Sequence, residues 1–353
     1  MRIVSIASFV LVSIAVSLQP ASAQSLSFSV FAGYLETFRA EAAIPGMSAA
    51  ILQDGVVVWE RGFGKQDVDA NVAATPDTPY GIGQLSQVFG STLLLRKCID
   101  QSYARLSDRV IRWTPEYPDP STTLSQLLSH TSPTGTYQYS PDRFAALTGV
   151  IEECVDLKYR EVLANDVLDF LAMTRSVPGQ TYLSPSPDDI NLLGQSRVDR
   201  YGAVLRDLAV PYRVVSRRAQ RNLEFPTRPV DAADGVVSTV RDLAKFDQAL
   251  DGGLLLQPST RDLAWTQSYA GSVALPTGLG WFVQAYNGQP VAWQFGSVDG
   301  AYSSLIVKVL MPNRRLTFIL LANSDGLSAP FPLSAGDVTA STFARLFLKS
   351  FVP

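Results

Sequence analysis

Hydrophobic residues recur along this chain at two spacings, one typical of helices and one typical of strands. Apolar residues three and four positions apart predict an amphipathic helix over residues 26–43. Two β-prone runs, 47–52 and 56–63, flank Asp54-Gly55, which is a strong hairpin signal. The same reasoning predicts further helices over 84–99, 121–129, 143–157, 240–250 and 335–351, and further strands over 280–286, 303–310 and 316–322.

The order of these elements is helix, hairpin, long helical stretch, β-meander and helix. The two β-rich ends can join in one antiparallel sheet, which makes the helical middle an insertion. We therefore predict an α+β fold, in which an antiparallel β-sheet is flanked by helices and carries an inserted all-helical domain. The predicted sheet domain comprises residues 24–80 and 225–353, and the predicted helical domain comprises residues 81–224.

The N-terminus has the pattern of a secretory signal peptide. Arg2 precedes an apolar run from Ile3 to Leu18, and Ala21-Ser22-Ala23 forms a small-residue cleavage site. We predict a signal peptide over 1–23, cleaved after Ala23, and a periplasmic or secreted bacterial protein. The alternative is an uncleaved membrane anchor, for which the run is short. No later segment is long and apolar enough to span a bilayer.

Composition narrows the chemistry that the chain can perform. Among 353 residues the net charge is −3 without a basic run, which argues against nucleic acid as a partner. The chain has one histidine and six lysines, so any mechanism that needs either residue has few candidates. With two cysteines and one histidine, a structural zinc site is nearly excluded, and we expect no metal or cofactor.

Cys98 and Cys154 both lie on predicted helices of the same region. In an exported protein they can form a disulfide. They can equally be buried free thiols that pack as small apolar residues. The sequence leaves both alternatives open, because pairing depends on geometry.

Five segments of the chain, in this order, resemble the serine β-lactamase and penicillin-binding-protein-like family. They are residues 55–83, 105–132, 231–253, 278–281 (GLGW) and 321–325 (LANSD). The family includes class C β-lactamases, D-alanyl-D-alanine carboxypeptidases and esterases. The resemblance implies an α/β sandwich with a helical domain and an active-site cleft between them.

The first motif of that family is Ser-x-x-Lys at the start of a helix, where the lysine amine can accept the serine proton. The matching segment places Gln84 at the nucleophile position and Gln87 at the lysine position. A glutamine amide is neither a useful nucleophile nor a base near pH 7. No serine precedes any of the six lysines by three residues, so the motif is absent elsewhere too.

The other two motifs are also altered. Of the second, Tyr-x-Asn, Tyr139 is present, but Pro141 replaces the asparagine. The third, Lys- or His-x-Gly, aligns best with Phe295 and Ser297, and a shift by one residue gives Gln294 and Gly296 instead. Neither register supplies a lysine or histidine.

His130 and Ser86 are two further candidates for catalytic groups. His130 falls at a position that is structural in the family, and the alternative is a dyad with Ser132. Ser86 lies two residues after Gln84 and is expected to point away from the face shared by Gln84 and Gln87.

Backbone donors do not depend on side chains, so the N–H groups of Gln84 and Val298 are expected to form a two-donor hole. The predicted binding residues are therefore Gln84, Gln87, Tyr139 and Val298.

We consider three hypotheses for the function. The first is a catalytically silent binding or regulatory module at the cell envelope, with a cell-wall peptide or a protein as its partner. The second is an ester or amide hydrolase whose active site is rebuilt from Ser86, Tyr139, Ser140, Asp142 and Ser297. The third is a structural protein in which Phe295 fills the old pocket. We favour the first hypothesis, because all three motifs are altered within an intact scaffold.

Overall fold

The computed structural model describes residues 21–224 and 229–353 of the chain. The helices in the described residues are α1 Ala21–Glu41, α2 Gln87–Leu94, α3 Leu124–Leu128, α4 Pro141–Phe144, α5 Leu147–Val155, α6 Tyr159–Leu163, α7 Pro187–Leu193, α8 Gln195–Arg206, α9 Val240–Asp251, α10 Pro258–Ala264 and α11 Thr342–Phe351. The strands are β1 Gly46–Gln53, β2 Val56–Asp67, β3 Val72–Ala73, β4 Tyr80–Gly81, β5 Tyr212–Val215, β6 Arg218–Arg221, β7 Val237–Ser238, β8 Tyr269–Ala270, β9 Val273–Ala274, β10 Phe282–Tyr286, β11 Gln289–Val298, β12 Tyr302–Met311 and β13 Arg314–Ala322.

Seven strands from the two ends of the chain form one antiparallel sheet. Its strand order is β10-β11-β12-β13-β1-β2-β3, and the two ends meet where β1 pairs with β13. This confirms the predicted α+β fold with an antiparallel sheet flanked by helices. The sheet brings β11, which follows α2 by almost two hundred residues, next to the start of that helix.

Apolar side chains alternate between the two faces of the sheet, so each face has its own core. Val307 and Phe318 pack with α1 and α11 on one face, through residues such as Phe31 and Phe347. Ile306 and Ile319 belong to the opposite face, with α2 and α9. This alternation is the two-residue period of a strand buried on both sides.

Most predicted elements are present with shifted ends. The helix predicted over 84–99 is a continuous helical segment, in which a 3-10 turn (Gly83–Ser86) and a π-helical turn (Leu95–Ile99) flank α2. The helix predicted over 143–157 is two helices, α4 and α5. Strand β11 is not predicted by the sequence pattern, since Pro290 and Gly296 interrupt its run.

The helical region between β4 and β7 also holds the hairpin β5–β6. In this region Cys98 and Cys154 form a disulfide, with Cα atoms 5.9 Å apart. The structure therefore selects the first of the two alternatives for these cysteines. The boundaries of the two domains stay a prediction.

The predicted signal peptide lies almost wholly outside the described residues, and its cleavage after Ala23 stays a prediction. Within residues 21–224 and 229–353, no helix is both long and apolar enough to cross a bilayer.

Candidate functional site

The segment that enters α2 lies against the end of strand β11. There the side chain of Gln84 bridges two walls of a cleft. Its Oε1 atom accepts a hydrogen bond from the N–H of Ser297 at 2.9 Å, and its Nε2 atom donates to Oδ2 of Asp234 at 3.0 Å. Gln84 therefore uses both ends of its amide to join β11 to the loop before β7.

Gln87, three residues further on, is fully buried and accepts two hydrogen bonds. Its Oε1 atom lies 3.0 Å from Nε2 of His130 and 3.1 Å from Nε2 of Gln294. The N–H of Ser140 donates to Nδ1 of His130 at 3.2 Å, so the histidine proton resides on Nε2. We call Gln84, Gln87 and Gln294 the amide cluster.

His130 stays neutral in this environment. Its burial lowers the pKa to about 3, with the nearby Arg143 guanidinium acting in the same direction. Its one lone pair on nitrogen is already used by the N–H of Ser140. His130 is therefore an anchoring residue under Gln87, as the structural interpretation predicts.

The contacts of β11 select the second register for the altered third motif. A Cβ atom on residue 296 would collide with the carbonyl oxygen of Ile82, so only glycine fits there. Gln294 is the buried residue that reaches Gln87, whereas Phe295 packs on the other face of the sheet. The alignment of Phe295 and Ser297 with the motif is wrong by one residue.

The same register corrects the predicted backbone donor. The N–H of Ser297 faces Gln84. Successive N–H groups point to opposite edges of a strand, so the N–H of Val298 faces β12 instead. The two-donor hole expected from Gln84 and Val298 is therefore wrong in its second member, and Val298 contributes only to the lining of the cleft.

Tyr139 lies beneath the cleft in an aromatic cluster. Its ring centroid lies 4.6 Å from that of His130 and 5.5 Å from that of Phe295. Burial raises the pKa of its phenol well above the usual range, which makes it a poor base near neutral pH. Its hydroxyl and Nε2 of Gln87 are both buried, and the Gln87 side chain opposes this rise of the pKa, although the two groups do not meet the geometry of a full hydrogen bond.

Pro141 and Ser140 have a local structural role at the start of α4. The Ser140 hydroxyl accepts a hydrogen bond from the N–H of Arg143 at 3.3 Å, and Pro141 occupies the first helical position. This is a helix N-cap followed by a proline, an arrangement that needs no ligand.

Ser86 and Ser132 are not placed for catalysis. Ser86 is fully buried, and its hydroxyl accepts a hydrogen bond from the N–H of Val236 at 3.2 Å. The Ser132 hydroxyl bonds to that of Thr134 at 2.8 Å. Since both nitrogens of His130 have other partners, the dyad of His130 with Ser132 is wrong.

The cleft beside Gln84 contains an open cavity of about 290 Å³. Phe295 is not among the residues that line it, so the hypothesis that Phe295 fills the pocket is wrong. The lining residues are Gln84, Pro141, Asp142, Gln180, Asp234, Gly235, Ser297, Val298 and Asp299.

Sequence reasoning missed three of the polar lining residues. They are Gln180, Asp234 and Asp299. Asp234 lies within a segment that carries the family resemblance, but its contact with Gln84 spans 150 residues. Only the Asp-Gly pair at 234–235 signals a turn at that place.

The chain is similar to known proteins over most of its length. The sequence model of the Beta-lactamase family matches residues 31–337. Protein flp of Staphylococcus aureus is 24% identical over 331 residues, an alignment that covers 81% of this chain and 61% of that protein. The chain thus spans about three fifths of this curated relative.

Two solved structures show the same fold. A penicillin-binding protein homologue from Pyrococcus abyssi has a TM-score of 0.70 and 20% identity, over 85% of this chain and 74% of that one. D-alanine carboxypeptidase AmpC from Burkholderia cenocepacia has a TM-score of 0.68 and 19% identity, over 91% and 99% of the two chains. These structures show the fold, and the match of the family model over residues 31–337 establishes that this chain belongs to the Beta-lactamase family.

Proposed function

We propose that this member of the family does not form an acyl-enzyme and instead acts as a binding or regulatory protein of the cell envelope. Two replacements support the loss of acylation. Gln84 stands at the nucleophile position of the resemblance, and Gln87 stands at the position of the base. Losing the nucleophile of a serine hydrolase alone costs on the order of 10⁶ in rate.

The observation that carries the proposal is the hydrogen bond from the Ser297 N–H to Oε1 of Gln84. A backbone donor at this place would hold the oxygen of a substrate carbonyl in an acylating enzyme. Here the side-chain carbonyl of Gln84 takes that donor from within the chain. A substrate carbonyl must therefore displace Gln84 before it can bind there.

The groups at the positions of the family's lysines, and the histidine that contacts them, also lack a proton acceptor. Gln87 and Gln294 are amides, and the depressed pKa of His130, about 3, keeps this residue neutral. A neutral hydrogen-bonded cluster can fix the shape of the cleft but cannot take a proton from a nucleophile.

The ligand we propose is a short cell-wall peptide or a loop of a partner protein. A cavity of about 290 Å³ beside Gln84 offers amides, carboxylates and a hydroxyl to such a segment. The disulfide between Cys98 and Cys154 supports an oxidising compartment, in keeping with the predicted signal peptide.

Hydrolysis of nitrocefin and of p-nitrophenyl esters tests this proposal. The unchanged chain should give no turnover above background. The matched variant Gln84→Ser/Gln87→Lys restores the residues of the first motif. A second variant adds Gln294→Lys, which restores the lysine of the third motif in the register that the structure selects. Turnover by the unchanged chain at a rate typical of enzymes would contradict the proposal.

A further inference from the structure

Helix α1 carries an exposed apolar row on the side that faces away from the sheet. Leu26, Val30 and Tyr34 are 66%, 52% and 54% exposed. They are four residues apart, so they share one face of the helix. The opposite face is buried against the sheet through Phe31 and Leu35.

The part of this face that carries Leu26, Val30 and Tyr34 has no charge, because no Asp, Glu, Lys or Arg occurs between Arg2 and Glu36. Charges enter α1 only at its C-terminal end, where Glu36 pairs with Arg39 at 2.6 Å and Glu41 is exposed. The 21 residues of α1 extend over about 31 Å, at 1.5 Å per residue. Between the apolar residues the exposed positions carry small residues such as Ser29 and Gly33, which can approach an apolar boundary without burying a charge.

The hairpin β5–β6 brings arginine side chains to the C-terminal end of this helix. Of its four arginines, Arg221 pairs with Asp69 at 3.1 Å and Arg213 lies against Gly300, which leaves Arg217 and Arg218 at the turn of the hairpin. No acidic residue occurs between Asp207 and Glu224. Arg217 donates from Nη2 to the carbonyl oxygen of Glu41, the last residue of α1, at 3.3 Å. Strand β6 is exposed over its whole length.

We propose that the outer face of α1 and the turn arginines of hairpin β5–β6, Arg217 and Arg218, bind together to the surface of an anionic phospholipid bilayer. Apolar side chains of an interfacial helix enter the boundary between headgroups and acyl chains. Guanidinium groups bind lipid phosphates and gain from the negative surface potential. The inference rests on neither the cleft nor the proposed function.

An anionic bilayer uses both halves of this surface at once. A nucleic acid would pair with the arginines and leave Leu26, Val30 and Tyr34 uncovered. A purely apolar partner would leave the arginines unpaired. An anionic bilayer complements both, because its headgroups and its acyl chains lie within a few ångströms of each other.

Vesicle binding by the full chain tests the inference. With phosphatidylglycerol mixed into phosphatidylcholine, we expect cosedimentation that weakens at high salt, and much less binding to phosphatidylcholine alone. The variant Arg217→Ser/Arg218→Ser should bind about 25-fold more weakly, since one arginine near an anionic surface contributes about fivefold.

A second measurement locates the contact on α1. Because the two native cysteines are paired, an environment-sensitive dye can be attached selectively at Val30→Cys. Its emission should shift to the blue when phosphatidylglycerol vesicles are added, whereas the same dye at the exposed Ser259→Cys of α10 should not respond. Thermal melting checks that the variants fold.

Three results would overturn the inference. They are equal binding to neutral and anionic vesicles, an unchanged affinity of the double arginine variant, and a dye at position 30 that does not respond. Binding that resides in residues 1–20 alone would give the second and third of these results.

Discussion

Two clusters of polar side chains in this protein differ in charge. The three side chains of the amide cluster are neutral: Gln294 donates to Gln87 at 3.1 Å, and Gln84 bonds separately to the Ser297 N–H at 2.9 Å and to Asp234 at 3.0 Å. The second cluster, which we call the ionic cluster, consists of Lys308, Asp247 and Asp251. Nζ of the fully buried Lys308 lies 2.8 Å from Oδ1 of Asp247 and 2.9 Å from Oδ2 of Asp251.

The comparison shows that the scaffold can bury a lysine, although the cleft has none. The ionic cluster joins α9 to β12, so this scaffold holds a fully buried lysine at a place where two carboxylates face it. In the cleft, where the family resemblance implies a lysine beside a nucleophile, the chain has Gln87 beside Gln84. A buried lysine is thus present where it joins two elements and absent at the position where the family resemblance implies one.

The largest expected effect comes from breaking the ionic cluster. Lys308→Met leaves the fully buried Asp247 without its cation, while Asp251 keeps Arg315 at 3.2 Å, and it should lower the free energy of unfolding by about 3 to 5 kcal/mol. Urea denaturation measures this loss. Adding Asp247→Leu to Lys308→Met should recover part of the lost stability. If Lys308→Met alone costs no more than an ordinary surface substitution, the ionic cluster does not stabilise the fold as we assign.

Acid should destabilise the protein through His130. Burial depresses the pKa of folded His130 to about 3, against an ordinary value near 6.5, so below pH 6.5 the unfolded chain binds a proton that the folded chain does not. Between pH 6.5 and 4 this costs about 3 kcal/mol of unfolding free energy.

Denaturation at several pH values compares the unchanged chain with His130→Asn. The variant should show a flatter profile between pH 6.5 and 4. Identical slopes for the two proteins would refute the assignment of this loss to His130.

Breaking the amide cluster should cost less than breaking the ionic cluster. Gln87→Leu removes the acceptor of His130 and Gln294, leaving two buried donors unpaired without leaving a charge. We expect a loss of about 1 to 3 kcal/mol. Urea denaturation of Gln87→Leu and of Lys308→Met ranks the two losses of unfolding free energy. A larger loss for Gln87→Leu would refute the comparison.

The smallest effect is expected for Tyr139→Phe. The buried hydroxyl of Tyr139 interacts with the Gln87 side chain without full hydrogen-bond geometry, so its removal should change the stability by less than about 1 kcal/mol in either direction. If the unchanged chain hydrolyses a small ester and Tyr139→Phe abolishes the reaction, the result would support the rebuilt-hydrolase hypothesis and contradict our proposal.

The sequence predicted the fold more fully than the cleft. Hydrophobic spacing and five family-like segments suffice to predict the antiparallel sheet, because strand and helix periods are local properties. Strand β11 is not predicted in this way, because Pro290 and Gly296 weaken its hydrophobic pattern. Its pairing, such as that of Trp293 with Phe282, depends on the neighbouring strand β10.

The replaced residues Gln84 and Gln87 are evident from the sequence, but their partners are not. The choice between Phe295 and Gln294 depends on whether residue 296 has room for a Cβ atom, which only the approach of Ile82 decides. The contact of Gln84 with Asp234 joins two distant loops. Contacts of this kind arise from tertiary packing and leave no local pattern.

The most direct test of the central claim is the intact mass of the protein after exposure to a penicillin and, separately, to a fluorophosphonate. Gln84 replaces the nucleophile, and its amide holds the Ser297 N–H, so we predict an unchanged mass with both reagents. Gln84→Ser/Gln87→Lys serves as the matched comparison. A stoichiometric adduct on one serine of the unchanged chain would contradict the account.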